Sequence, residues 1–152
     1  MQDEKTNPIK QDTKKGALRF YPYNINWNYG FLPQTWEDPA HKNEGAGDVF
    51  GDNDPVDVVE ISSTALEMGG VYQVKCVGAY AMIDDGELDW KVIAINTADP
   101  LAEKINDVED VERCSSHAHV PFFCPGLPVC LQLVRSVDKH LHALRSWTIS
   151  QI

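Results

Sequence analysis

The sequence predicts an α+β protein that is mainly β with a few helices, and three observations carry that prediction. Runs of β-branched and aromatic residues recur between turn formers, as in VDVVEI (56–61), GVYQVKCVGAYAMI (70–83) and WKVIAIN (90–96). One stretch, ADPLAEKINDVEDVER (98–113), switches to helical chemistry, with Asp99 placed to cap it and Pro100 at its first helical position. A hydrophobic content of 43% in 152 residues is enough to bury one core, which bounds the chain at a single domain.

Each element follows in order. Residues 1–16 are polar, and ALRFYPY (17–23) after Gly16 reads as a first strand, with Arg19 among apolar neighbours. NWNYGFLPQTWEDP (26–39) alternates aromatics with turn formers, which suits short strands and loops rather than a helix. From His41 to Phe50 the text is a polar, glycine-containing loop. Gly78 interrupts the longest apolar run and marks a bulge or corner, and DDGELD (84–89) is a turn leading into WKVIAIN. Cys76, inside a strand pattern, reads as a small buried apolar residue.

Charge narrows the function classes. Against 13 basic residues stand 23 acidic ones, a net charge of −10, which argues against a nucleic-acid partner and favours cation binding. No apolar stretch approaches a membrane span, and the polar start MQDEKTNPIKQDTKK lacks the apolar core of a signal peptide. No membrane partner and a cytoplasmic location are therefore expected, with a mitochondrial form left open. After Arg113 the composition changes: Asp138 is the only acid, while Cys114, Cys124, Cys130, His117, His119, His140 and His142 accumulate. The chain accordingly divides into residues 1–113 and a divergent tail, 114–152. The spacing of Cys114, His117, His119 and Cys124 fits no standard zinc knuckle, and VDKHLHALRSW (137–147) has the pattern of a short amphipathic helix.

The stretch GDNDPVDVVEI (51–61) sets Asp52, Asp54, Asp57 and Glu60 at the mouth of a strand. Carboxylates drawn together into a partly buried site must be paired, protonated or bound to a metal. An EF-hand does not fit, because Asp57 stands where its loop needs glycine and Ser63 where it needs a bidentate Glu. In an extended WKVIAIN, side chains two apart share a face, so Asp89 and Lys91 point the same way as Ile93 and Ile95. Hard oxygen donors suit Mg²⁺ or Mn²⁺, and a neighbouring lysine suits a phosphoryl oxygen, which together equip a site for phosphate chemistry. Glu60 falls on the opposite strand face from Asp57 and is expected to serve structure. The second acidic group, Asp84, Asp85, Glu87 and Asp89, read alone is a solvated turn.

These residues also resemble a family. GDNDPVDV fits the aspartate signature D-x-D-P-x-D of the family I soluble inorganic pyrophosphatases, and NPIKQDTKKGALRF, NYGFLPQTWEDP, DDGELDWKVIAIN and NDVEDVE are similar to its eukaryotic branch. The resemblance runs in order over roughly residues 6 to 113. It implies hydrolysis of pyrophosphate to two orthophosphates on a five-stranded OB-like barrel with several Mg²⁺ ions. It also implies that Asp52, Asp57 and Asp89 bind the metal pair that holds the attacking water and that Asp54 is the general base. Asp84, with Asp89 and Glu37, would hold a further magnesium, and Arg19, Tyr29 and Lys91 would contact phosphate oxygens.

The family's strands before the position of Thr6 and its later Tyr-Lys phosphate clamp have no counterpart in this text, and FYPYNINWNYG is several residues shorter than the family's equivalent, so its tyrosine upstream of Tyr29 has no assigned position. An incomplete barrel is therefore expected. The alternative function is a non-catalytic isoform that binds metal or a full-length partner subunit, and homodimerisation is the other assembly the resemblance allows.

Overall fold

The computed structural model describes residues 13–21, 24–114, 132–134 and 147–151. Among them strands dominate. In chain order they are β1 (Thr13–Lys14), β2 (Ala17–Leu18), β3 (Asn28–Phe31), β4 (Lys42–Asn43), β5 (Val49–Phe50), β6 (Asp57–Glu60), β7 (Val71–Asp84) and β8 (Glu87–Asn96). One short helix, α1 (Val108–Cys114), and two further strands, β9 (Gln132–Val134) and β10 (Trp147–Gln151), follow.

The long hairpin of β7 and β8 organises the sheet. Its turn is the pair Asp85 and Gly86, both at positive φ (48° and 90°), the conformation that matches a two-residue turn to the twist of its strands. The register slips between Cys76 and Gly78, so the bulge expected at the glycine is present. On its other edge β8 pairs in parallel with β6, setting Asp57 opposite Lys91, and β6 pairs antiparallel with β3, setting Phe31 opposite Asp57. Strand β10 pairs with both β3 and β7, and β9 pairs with β7 at residues 79–81.

Both faces of β8 are buried, and that places the core. Ile93 and Ile95 pack with Val77, Ala102, Ile105 and Val111, while Ala94 packs with Leu32, Val58 and Val74 from the other side. Leu88 joins Ala46 and Ala81 in a third cluster beneath the hairpin end. Glu60, fully buried, is held by Asn28 Nδ2 (2.7 Å), the Asn96 amide (2.7 Å), the Ser62 amide (2.9 Å) and the Ser62 hydroxyl (2.8 Å). Four donors replace the water lost on burial, so Glu60 ties β3, β6 and the end of β8 together and serves structure.

Several expectations change. The helix expected over 98–113 is confined to α1, preceded by a separate turn at 99–104. Asp99 does cap that turn, its carboxylate accepting from the Leu101 amide at 2.8 Å, but the chain stops and restarts at Asn106 and Asp107. There Asp107 accepts from the Glu109 amide while Asp110 reaches back to the Asp107 amide, both at 3.2 Å. This reciprocal cap satisfies orphan amides at the new helix start. The strand expected over ALRFYPY is confined to Ala17–Leu18, which is exposed and, among the described residues, pairs with β1. The loop 41–50 contains a small hairpin, with Lys42 opposite Phe50 and Asn43 opposite Val49.

Cys76 is half-buried, and desolvation pushes its thiol pKa up, as suits a packing residue. The cysteine and histidine group at 114–124 lies outside the described residues except for the backbone of Cys114. The helix pattern at 137–147 also lies outside them, apart from Trp147, which opens β10. No helix among the described residues is long and apolar enough to cross a membrane.

Candidate active site

Three segments distant in sequence converge beside the β7–β8 hairpin. Gly51 bridges Leu88, which brings Asp52 alongside the start of β8 and Asp89. The loop after β3 is lashed to the same place by backbone bonds from the Glu37 amide to the Asp54 carbonyl and from the Asn53 amide to the Glu37 carbonyl, each 2.9 Å. Glu37 Oε1 then accepts the Trp90 amide at 2.9 Å. The outcome is a triad of carboxylates, Glu37, Asp52 and Asp89, with one oxygen from each within 4.8 Å of the others.

Gly51 makes this approach possible. A Cβ there would stand 2.5 Å from the Glu37 carbonyl carbon and 2.6 Å from its oxygen, closer than atoms can approach. Gly51→Ala is therefore expected to force the Glu37 backbone away from Asp52, costing on the order of 1 to 3 kcal/mol in stability. Thermal melts would register the loss, and titration with Mg²⁺ should register weakened binding. An alanine variant with unchanged melting and binding would contradict the geometry.

The triad has the signature of a cation site. Glu37 Oε2 and Asp89 Oδ1 are buried without a hydrogen-bond partner among the described residues. Buried carboxylate oxygens are normally satisfied, and two left open in one convergent cluster fit a hard divalent ion taking oxygen ligands. Protonation answers the same strain. Burial pushes the Glu37 pKa up to about 8, opposed by the Trp90 amide and reinforced by Asp52 and Asp89. Burial likewise pushes Asp89 up to about 6, with Lys91 opposing and Asp57 and Asp52 adding.

Lys91 separates this triad from a second arrangement. Its ammonium reaches Asp89 Oδ2 at 2.5 Å, bonds to Asp57 Oδ2, and lies 2.9 Å from the Tyr29 hydroxyl. Tyr29 in turn donates to Asp57 Oδ2 at 2.5 Å. Burial alone would lower the Lys91 pKa, but Asp57, Tyr29 and Asp89 outweigh it and the ammonium is held strongly charged. Burial and then Asp57 push the Tyr29 hydroxyl far up, so it stays a neutral donor.

Of the residues singled out in the sequence, Glu37, Asp52 and Asp89 meet in the carboxylate triad, and Asp57, Tyr29 and Lys91 meet beside it. Asp57 engages Lys91 and Tyr29 rather than joining the triad. Asp54 is exposed, with its amide donating to Asp52 Oδ1 at 2.9 Å. Asp84 lies exposed at the hairpin end opposite Glu87, outside the carboxylate triad, and Arg19 lies exposed on the segment after β2. Tyr80 went unremarked in the sequence, yet it pairs opposite Lys91, and burial pushes its hydroxyl pKa up. Only the cross-strand register reveals it. A cleft of about 390 Å³ lined by Trp36, Glu37, Asp38, His41 and Trp90 opens beside Glu37.

Fold and site together define a β-rich protein with convergent carboxylates beside a buried, charged lysine. Comparison with known proteins supplies the family. The inorganic pyrophosphatase family model matches residues 2–125, and the chain belongs to that family. It is 70% identical over 111 residues to soluble inorganic pyrophosphatase 1, chloroplastic, of Chlamydomonas reinhardtii, covering 73% of this chain and 39% of that protein. Among solved structures it is similar to the type I inorganic pyrophosphatase of Toxoplasma gondii, with TM-score 0.67 and 54% identity over 70% of this chain and 47% of that one. It is also similar to an N-terminally truncated Trypanosoma cruzi vacuolar soluble pyrophosphatase in complex with PPi, with TM-score 0.65 and 48% identity over 68% of this chain and 39% of that one. The chain thus spans less than half the length of each of these relatives.

Proposed function

We propose that this chain carries the metal-binding half of a pyrophosphate-hydrolysing site, in which Asp54 is the general base. The observation that carries the reading is the convergence of Glu37, Asp52 and Asp89, with two open buried oxygens, on one side of a charged lysine. Family membership and a relative bound to PPi support pyrophosphate as the substrate and phosphate as the product.

Glu37, Asp52 and Asp89 would hold Mg²⁺, with Mn²⁺ as the alternative, and Asp57 and Asp84 are assigned as further ligands. Such an ion lowers the pKa of water and neutralises phosphate charge. Lys91, held protonated, presents a fixed positive charge, and Tyr29 presents a neutral hydroxyl donor; Arg19 is assigned to the same phosphate oxygens. Asp54 is the exposed carboxylate of the signature, open to solvent on the segment that also carries Asp52.

The sheet is read as a five-stranded OB-like barrel, a reading supported by the succession of pairings β10–β3–β6–β8–β7–β10. Residues 1–113 would form the pyrophosphatase-like part, with 114–152 a tail that adds strands to its sheet. A location in the cytoplasm or mitochondrion is joined as a candidate by the chloroplast, given the Chlamydomonas relative, and subcellular fractionation decides among them.

Phosphate release from pyrophosphate with Mg²⁺ tests the reaction. Asp54→Asn is expected to lower the rate by about 10²- to 10⁴-fold while leaving the melting temperature near the parent value. The second reading is a metal-binding subunit without activity that pairs with itself or with a full-length subunit. A folded chain that binds Mg²⁺ yet releases no phosphate above background would establish that reading instead.

A further inference from the structure

We propose that the carboxy-terminal strand β10 is a positioning element for the site, bridging β3 to β7 and thereby fixing the strand that carries Tyr29. The inference rests on strand pairing and stands apart from the pyrophosphate reading. β3 is four residues long, and β6 holds one of its edges through pairs from Asn28–Glu60 to Phe31–Asp57. Its other edge is met by β10, with Ser150 opposite Phe31 and Gln151 opposite Gly30.

The same strand pairs with β7 through Trp147–Val74, Thr148–Gln73, Ile149–Tyr72 and Ser150–Val71. Ser150 therefore stands between Phe31 and Val71. Among the described residues β3 and β7 have no pairing with each other, and β10 links these two edges. Backbone groups along an unpaired edge must find other partners, and a four-residue strand held on one side only opens readily.

The consequence reaches the site through one residue. Tyr29 precedes Gly30 directly, and its hydroxyl holds Asp57 and Lys91. Phe31 and Leu32, which follow, are buried in the core, so β3 joins the core at one end and the Tyr29 contacts at the other. With β10 in place β3 is clamped between two neighbours. With β10 displaced, β3 keeps its pairing to β6 and its core contacts but loses its second sheet neighbour.

Two measurements on the full chain test this. In Gln73→Cys/Thr148→Cys the new thiols stand opposite each other in register, at a separation a disulfide can span. Mild oxidation should yield a 73–148 cross-link, identified by peptide mass spectrometry against each single-cysteine variant and the native cysteines. Amide hydrogen exchange supplies the second readout. Ile149→Pro removes an amide hydrogen and fixes φ within β10, and should speed exchange at Phe31, Tyr72 and Val74, the amides that alternation turns toward β10, by about tenfold or more. Exchange along the β6–β8 pairing should hold near the parent rate, and Ile149→Val should restore the protection. The Tyr29 ring resonances should shift in the proline variant and not in the valine variant. Absence of the cross-link, or edge amides that exchange alike in the parent and both variants, would overturn the proposal. If the proline variant does not fold, cross-link formation decides the matter alone.

Discussion

Replacing Lys91 with methionine is expected to destabilise the chain on the order of 3 to 5 kcal/mol at pH 8, and by clearly less at pH 5. The ammonium is almost wholly buried and sits between Asp57 and Asp89, so its removal leaves two carboxylates without their counter-charge. Methionine conserves much of the volume, which confines the effect to the ammonium's charge and its hydrogen bonds. The direction with pH follows from the carboxylates. Asp89 already titrates near 6, and its folded pKa rises further once Lys91 is gone. A carboxylate whose folded pKa exceeds its unfolded value is tolerated while protonated and penalises the fold increasingly as pH rises through that window. Paired thermal melts of parent and variant at pH 5 and pH 8 measure the difference. A deficit of equal size at both pH values would mean that Lys91 acts through packing alone.

The second large effect is proton release on metal binding. Glu37 titrates near 8 and Asp89 near 6, both above the usual carboxylate range, and a divalent ion requires both to be ionised. Mg²⁺ affinity is therefore expected to rise between pH 6 and 8 by about tenfold per pH unit for each proton displaced. Calorimetry in buffers of different ionisation enthalpy should show proton release at pH 7 that disappears in Glu37→Gln.

The metal-free chain should behave oppositely. In the folded state these groups keep protons that the unfolded chain has already lost, so stability falls as pH rises from about 4.5 through 8. Chelation should consequently lower the melting temperature more at pH 8 than at pH 6. Affinity that is flat with pH, with no buffer-dependent heat, would rule out Glu37 as a ligand.

What could be read in the sequence was local. The β-branched runs named β6, β7 and β8, Gly78 marked the bulge, and the two-residue spacing of Asp89 and Lys91 placed them on one buried face. Glu60 could be set apart from the aspartates because alternation along a strand needs no knowledge of its neighbours. The helix boundary was harder. Asp99 and Asp107 both carry cap chemistry, and nothing local says which cap begins a helix and which closes a single turn.

The sequence by itself determined the strand-forming segments, the acidic signature and the resemblance that names the family. Tertiary structure alone decided which carboxylates face one another. Glu37 meets Asp52 because Gly51 lets two backbones approach, and Tyr80 joins Lys91 through the β7–β8 register. Asp57 turns to Lys91 and Tyr29 because β6 lies between β3 and β8. The physical reason is range: propensity and alternation act over a few residues, whereas a site of opposed charges is set by contacts between segments far apart in the chain, which only the folded packing brings within a few ångströms.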